Sequence, residues 1–102
     1  MIGRFWRGRA TVENAARYEE LLRAEVLPGI HRIEGYRGAY LLRRDVEDAV
    51  EFATLTLWES LDAVRTFAGD DYEAAVVPPE ARRLLERFDE RSVHYEVLVQ
   101  PE

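Results

Sequence analysis

The sequence predicts an α+β domain whose elements run β-α-β-β-α-β, and three observations carry that prediction. Stretches rich in aromatic and β-branched residues fall at 2–10, 35–44, 50–58 and 92–99. Apolar residues recur at helical spacing between the first and second of these, and again between the third and fourth. The link at 45–48 is short and polar, which suits an antiparallel hairpin in mid-chain.

Each element has its own signals. The first strand, Ile2 to Ala10, is apolar and aromatic with Arg4, Arg7 and Arg9 interspersed. Thr11 is placed to cap the first helix, with Glu13 in its first turn. Ala15, Tyr18, Leu22 and Val26 then form one face, and Pro28-Gly29 predicts a break. Ile30 to Glu34 is expected as a short turn or loop. Gly35 to Arg44 and Val50 to Trp58 make the hairpin strands. Ser60 caps the second helix, which carries Leu61, Val64 and Phe67 on one side. Gly69-Asp70-Asp71 interrupts the chain, and Tyr72 to Val77 reads as one more helical turn. Pro79 suits the first position of a last helix with Ala81, Leu84, Leu85 and Phe88 on its apolar face. Ser92 to Val99 is the fourth strand. Crossovers of one handedness place the helices on one face of a four-stranded antiparallel sheet, the ferredoxin-like plan.

Composition narrows the function classes. The 102 residues allow one domain, residues 1–102, with a thin core that pairing would reinforce. Without cysteine there is no disulfide, thiol nucleophile or Cys-ligated zinc, and a reducing cytoplasm is the expected setting. All 14 basic residues are arginine, so no lysine Schiff base can form. The net charge of −6 argues against nucleic acid, and the third strand lacks the basic, aromatic pattern of RNA-recognition domains. No apolar run reaches membrane-spanning length, and charges interrupt the N-terminal stretch where a signal peptide would need an apolar core. There is no phosphate-binding glycine motif. With two histidines in the whole chain, no metal site is expected.

The strands alternate two kinds of side chain. Phe52, Thr54, Thr56 and Trp58 alternate with Ala53, Leu55 and Leu57; Tyr36, Gly38, Tyr40 and Leu42 alternate with Ala39 and Leu41. Taking the small aliphatics as the helix-packed side leaves the aromatic and threonine side for a second copy of the sheet to cover. On that reading Thr54, Thr56, Tyr40 and His94 line a hollow between two sheets of a homodimer. Whether Phe5 or Trp6 faces it is open, since a one-residue register change exchanges them.

The run Trp58-Glu59-Ser60-Leu61-Asp62-Ala63-Val64-Arg65-Thr66-Phe67 resembles the antibiotic biosynthesis monooxygenase (ABM) superfamily. Trp6-Arg7-Gly8, Gly35-Tyr36-Arg37-Gly38 and His94-Tyr95-Glu96-Val97 are similar to an uncharacterised bacterial branch of it. The resemblance implies two sheets pairing into a dimeric α+β barrel with a pocket in each protomer. Members of the superfamily include monooxygenases that oxidise aromatic polyketide intermediates without metal or flavin, and haem-degrading enzymes, and many have no established activity. The haem branch carries a second tryptophan where this chain has Phe67, a haem-ligating histidine near Val77, and an asparagine on the first strand; none is matched here.

The expected function is therefore a cofactor-independent monooxygenase acting on an aromatic or polyketide-like small molecule, with no cofactor and no metal. A non-catalytic dimeric small-molecule binder is the alternative. His94 is the candidate general base, since an imidazole titrates near neutrality. Trp58 and Trp6 are candidate apolar walls, Tyr40 and Arg4 orient an anionic oxygen, and Thr54 and Thr56 add polar lining. His31, near the end of the first helix, reads as a helix-end or pocket-mouth residue.

Overall fold

The computed structural model describes residues 1–101. Strand β1 (Ile2–Thr11) pairs antiparallel with β3 (Ala49–Trp58) along its whole length, from Ile2 opposite Trp58 to Thr11 opposite Ala49. β2 (Tyr36–Val46) takes the far side of β3, joined to it through Glu47-Asp48. Two short strands share the other edge of β1: β4 (Leu85–Phe88) beside Gly8–Ala10, and β5 (Val93–Glu96) beside Ile2–Phe5. All pairs are antiparallel and the sheet is open. This is the predicted α+β, ferredoxin-like order with its last strand divided.

The helices depart from expectation in three places. Helix α1 (Val12–Leu21) starts where Thr11 accepts a hydrogen bond from the Asn14 amide at 3.2 Å. It does not break at Pro28-Gly29. A π-helical turn (Leu22–Val26) leads into α2 (Leu27–Ile30), giving one rod from 12 to 30. Pro28 falls in the first turn of α2, where a missing N–H and the widened turn before it avoid the usual clash. Helix α3 (Leu61–Ala68) is capped by Ser60, which accepts from the Ala63 amide at 3.2 Å. The last helix, α4 (Pro79–Leu84), is shorter than its apolar spacing suggests. Leu85–Phe88 joins the sheet instead, because the backbone of β1 near Gly8–Ala10 would otherwise lack partners on that edge.

Between α3 and α4 the expected helical turn at Tyr72–Val77 is an extended strap. Ala74 bridges to Arg91, Ser92 N–H donates to Glu73 O at 2.6 Å, and Ala75 N–H to Glu90 O at 2.9 Å. The strap is thereby stitched across the gap between β4 and β5.

The register also corrects the assignment of faces on β3. Phe52 and Trp58 point toward the helices and are essentially inaccessible. Phe52 packs on Tyr18 of α1 with ring centroids 4.9 Å apart, and Trp58 stacks on Phe67 of α3 at 5.2 Å. Ala53, Leu55 and Leu57 therefore face outward, beside Tyr40 and Leu42 of β2. On β2 an irregularity sets Tyr36 opposite Trp58 but Gly38 opposite Leu57, so Tyr36 packs with the helix-side cluster while Tyr40 stays outside. Gly35 makes the close approach of α3 possible. Its φ is +90°, and a Cβ there would lie 2.5 Å from Ala63 Cβ.

Candidate functional site

A chamber of about 60 Å³ lies between the sheet and the helical rod. Arg4, Trp6, Thr54 and Thr56 form its floor on β1 and β3; Tyr18 and Leu22 come from the rod; Val77 and Pro78 of the strap close one side. It abuts an outer groove of about 560 Å³, and the two share Val26, Ile30, Phe67, Val76 and Pro78. The pocket is thus between sheet and helices of one chain, not between two sheets. That places Trp6 in it, while its neighbour Phe5 points to the outer face with Leu55.

Arg4 organises the chamber. Its residue is 5% exposed. Its guanidinium donates to the carbonyls of Tyr72 and Ala74 on the strap, the latter at 3.0 Å. It also lies over the Phe67 ring, 5.6 Å from the centroid. Burial pulls its pKa down to about 10, so it remains charged at neutral pH.

His94 sits behind Arg4 rather than in the lining. Its Nε2 is 3.0 Å from Arg4 Nη1. A guanidinium has no lone pair, so Nε2 accepts, the proton is on Nδ1 and the ring is neutral. Nδ1 is enclosed and has no hydrogen-bond partner. Desolvation first, and the Arg4 charge second, hold the His94 pKa below its ordinary value, against an opposing pull from Glu73.

The other sequence candidates separate. Thr54 and Thr56 line the chamber; the Thr56 hydroxyl accepts from Trp58 Nε1 at 2.9 Å and donates to Arg4 O at 3.4 Å. Trp58 itself lies outside the lining, and Phe67, stacked on it, supplies the wall. The Trp6 indole N–H donates to Asp89 O at 2.6 Å, which fixes its ring against the chamber. Tyr40 is on the opposite face of the sheet, 45% exposed, and cannot reach this pocket. His31 packs edge-on against Tyr36, with centroids 5.7 Å apart. Sequence reasoning did not single out Tyr18 or Ser92, both of which line the chamber. The signal for Tyr18 was a phenol on the buried face of an otherwise aliphatic helix stripe, where its hydroxyl needs a partner.

The N-terminal 79 residues match the profile of the antibiotic biosynthesis monooxygenase family. The chain belongs to the ABM family. The match ends at Pro79, before His94. No curated protein is similar enough to match. Solved structures share the ABM-like fold at low identity. A protein from Deinococcus radiodurans assigned to the same class aligns with a TM-score of 0.70 at 16% identity, over 100% of this chain and 97% of its own. SnoaB, a cofactor-independent oxygenase from Streptomyces nogalater, gives 0.65 at 18%, over 99% and 98%. The haem degrader MhuD from Mycobacterium tuberculosis, with two haems bound in its active site, gives 0.64 at 17%, over 100% of both. At these identities the likeness concerns the fold. A haem iron does not fit the ABM pocket described here: Val77 lines it and no histidine does. Among the described residues no cluster of His, Asp and Glu could hold a metal, and no helix is long and apolar enough to cross a membrane.

Proposed function

We propose that this ABM protein is a cofactor-independent monooxygenase acting on an aromatic or polyketide-like small molecule held between the sheet and the helical rod. One observation supports this most: a largely apolar groove adjoins a smaller chamber whose floor holds a single buried guanidinium. A methylene flanked by aromatic ketone and hydroxyl groups ionises to an enolate, and a nearby cation favours that anion. The anion gives one electron to O2; recombination at carbon forms a C–O bond, and protonation gives a hydroperoxide. Loss of water leaves a ketone, so one oxygen atom enters product and one enters water. Arg4 orients the ionised oxygen, Trp6 and Phe67 confine the rings, and Thr54 and Thr56 face the substrate's polar edge.

His94 has a different role from the one its residue type suggests. A general base needs an available lone pair within hydrogen-bond reach of the proton, directly or through one water. The His94 lone pair is taken by Arg4. His94 is therefore a positioning residue for Arg4, and the substrate's own acidity supplies the anion.

The absence of a base from the chamber lining among the described residues favours a second reading, a binder without turnover. Incubating chelator-treated protein with an anthrone under labelled dioxygen decides between them. The expected product carries one labelled oxygen and forms faster than in protein-free buffer. A recovered ligand without label, together with a raised melting temperature, establishes the binder and ends the oxygenase reading.

The proposed setting is a reducing cytoplasm and the proposed partner a second copy of the chain. Tyr40, Leu42, Val93 and Tyr95 are 45–57% exposed, on or beside the sheet face opposite the helices. An apolar surface of that kind is uncommon on a monomer.

A further inference from the structure

We propose that the inner chamber is a receptor for the carboxylate of an amphipathic acid, whose apolar body lies in the outer groove. This deepens the reading above by naming the ligand's chemical class, and it relies on that reading only for the location of the pocket.

Three observations carry it. The first is a charge without a counter-charge. Among the described residues no carboxylate lies within ion-pair distance of Arg4, although most arginines of the chain that are exposed have one. Its neighbours are two carbonyls, a neutral imidazole and a phenyl face. Those groups satisfy hydrogen bonds but leave the charge uncompensated. A buried, unpaired charge is costly and calls for a counter-ion.

The second is a set of idle hydroxyls. Tyr18, Thr54 and Ser92 line the same chamber, and their hydroxyls take part in none of the side-chain hydrogen bonds among the described residues. Tyr18 is 1% exposed and Ser92 5%. A carboxylate accepts up to about four hydrogen bonds. The remaining Arg4 N–H groups and the hydroxyls are donors of the kind it takes.

The third is size. The inner chamber, at about 60 Å³, is roughly a tenth the volume of the outer groove. The chamber therefore suits the head of a ligand, and the greater part of its body lies in the outer groove of about 560 Å³. The groove is mostly apolar, walled by Val26, Ile30, Ile33, Phe67 and Val76, with Glu25, Glu80 and Arg83 also in its lining.

Calorimetric titration with 2-naphthoate and with its neutral isostere 2-naphthamide tests this. Wild type is expected to prefer the acid by about ten- to a hundredfold, the range of a charge-assisted contact. Arg4→Met should erase the preference. Because Arg4 also holds the strap, that variant can fail to fold, so Tyr18→Phe and Ser92→Ala provide the second arm. Each should weaken naphthoate about three- to tenfold and leave naphthamide unchanged. Equal affinity of wild type for acid and amide, no binding of naphthoate at millimolar concentration, or Tyr18→Phe and Ser92→Ala both behaving as wild type overturns the proposal. Oxygen turnover of an anthrone with no acid preference overturns this inference alone; acid preference without oxygen uptake overturns only the oxygenase.

Discussion

His94 and Arg4 show how a residue's surroundings redefine its chemistry. An isolated mid-strand histidine suggests a base, but this one is locked neutral by accepting from a guanidinium. Its folded-state pKa lies below the ordinary 6.5, and the groups facing it are Arg4 on β1 and Tyr72 and Glu73 on the strap. Between the two pKa values the unfolded chain binds a proton that the native chain does not. Stability therefore rises with pH through that window; the contribution is complete above the unfolded pKa and is lost as pH falls toward the folded one. His94→Gln keeps an acceptor for Arg4 and does not titrate. Melting temperatures followed from about pH 7.5 to 5.5 should show wild type losing ground to the variant. Parallel curves would remove His94 from the pH dependence. Arg4 was legible in the sequence as an anion partner, because an arginine within an apolar strand must find acceptors. Its clamp on the strap was not, since both acceptors are backbone carbonyls nearly seventy residues away.

At the scale of elements, Gly35 decides how closely α3 can sit on the sheet. Both its backbone angle and its contact with Ala63 exclude a side chain. Gly35→Ala should cost about 2 kcal/mol or more, as strain and overpacking act together. Gly38 is the control: its φ is +142°, but nothing lies within 4 Å of a Cβ there, so Gly38→Ala should cost only about 1 kcal/mol. Urea midpoints at unchanged slope measure both, and equal losses would show that packing against α3 contributes nothing. The strand and helix order was legible because caps and periodicity agree at Thr11, Ser60 and the β2–β3 turn. Two features were not. Leu85 and Phe88 suit a helix face or a strand equally, and only the unfilled edge of β1 decides. On β3 both faces are apolar, so alternation shows that two faces exist without showing which meets the helices. Side-chain size misleads there, because the space between sheet and helices takes Phe52 and Trp58 readily.

At the scale of the whole molecule, the sheet divides two tasks that the sequence pattern had merged. The pocket is on the helix side and is built by one chain, whereas Tyr40, Leu42, Leu55 and Leu57 make an apolar surface on the other side. Pairing through that surface would complete the dimeric α+β barrel without taking any part of the chamber. Light scattering at micromolar concentration should give a dimer for wild type and a monomer for Leu42→Glu, since a carboxylate buried in an apolar interface is strongly disfavoured. Raising salt should tighten the wild-type dimer, because two copies of net charge −6 repel. The monomeric variant should still bind 2-naphthoate within about threefold of wild type, as every residue lining the chamber lies across the sheet from the substitution. A monomeric wild type would leave the outer face without its proposed cover. A monomeric Leu42→Glu that no longer binds would mean that the second copy shapes the pocket through the sheet, and the separation of the two tasks would fail.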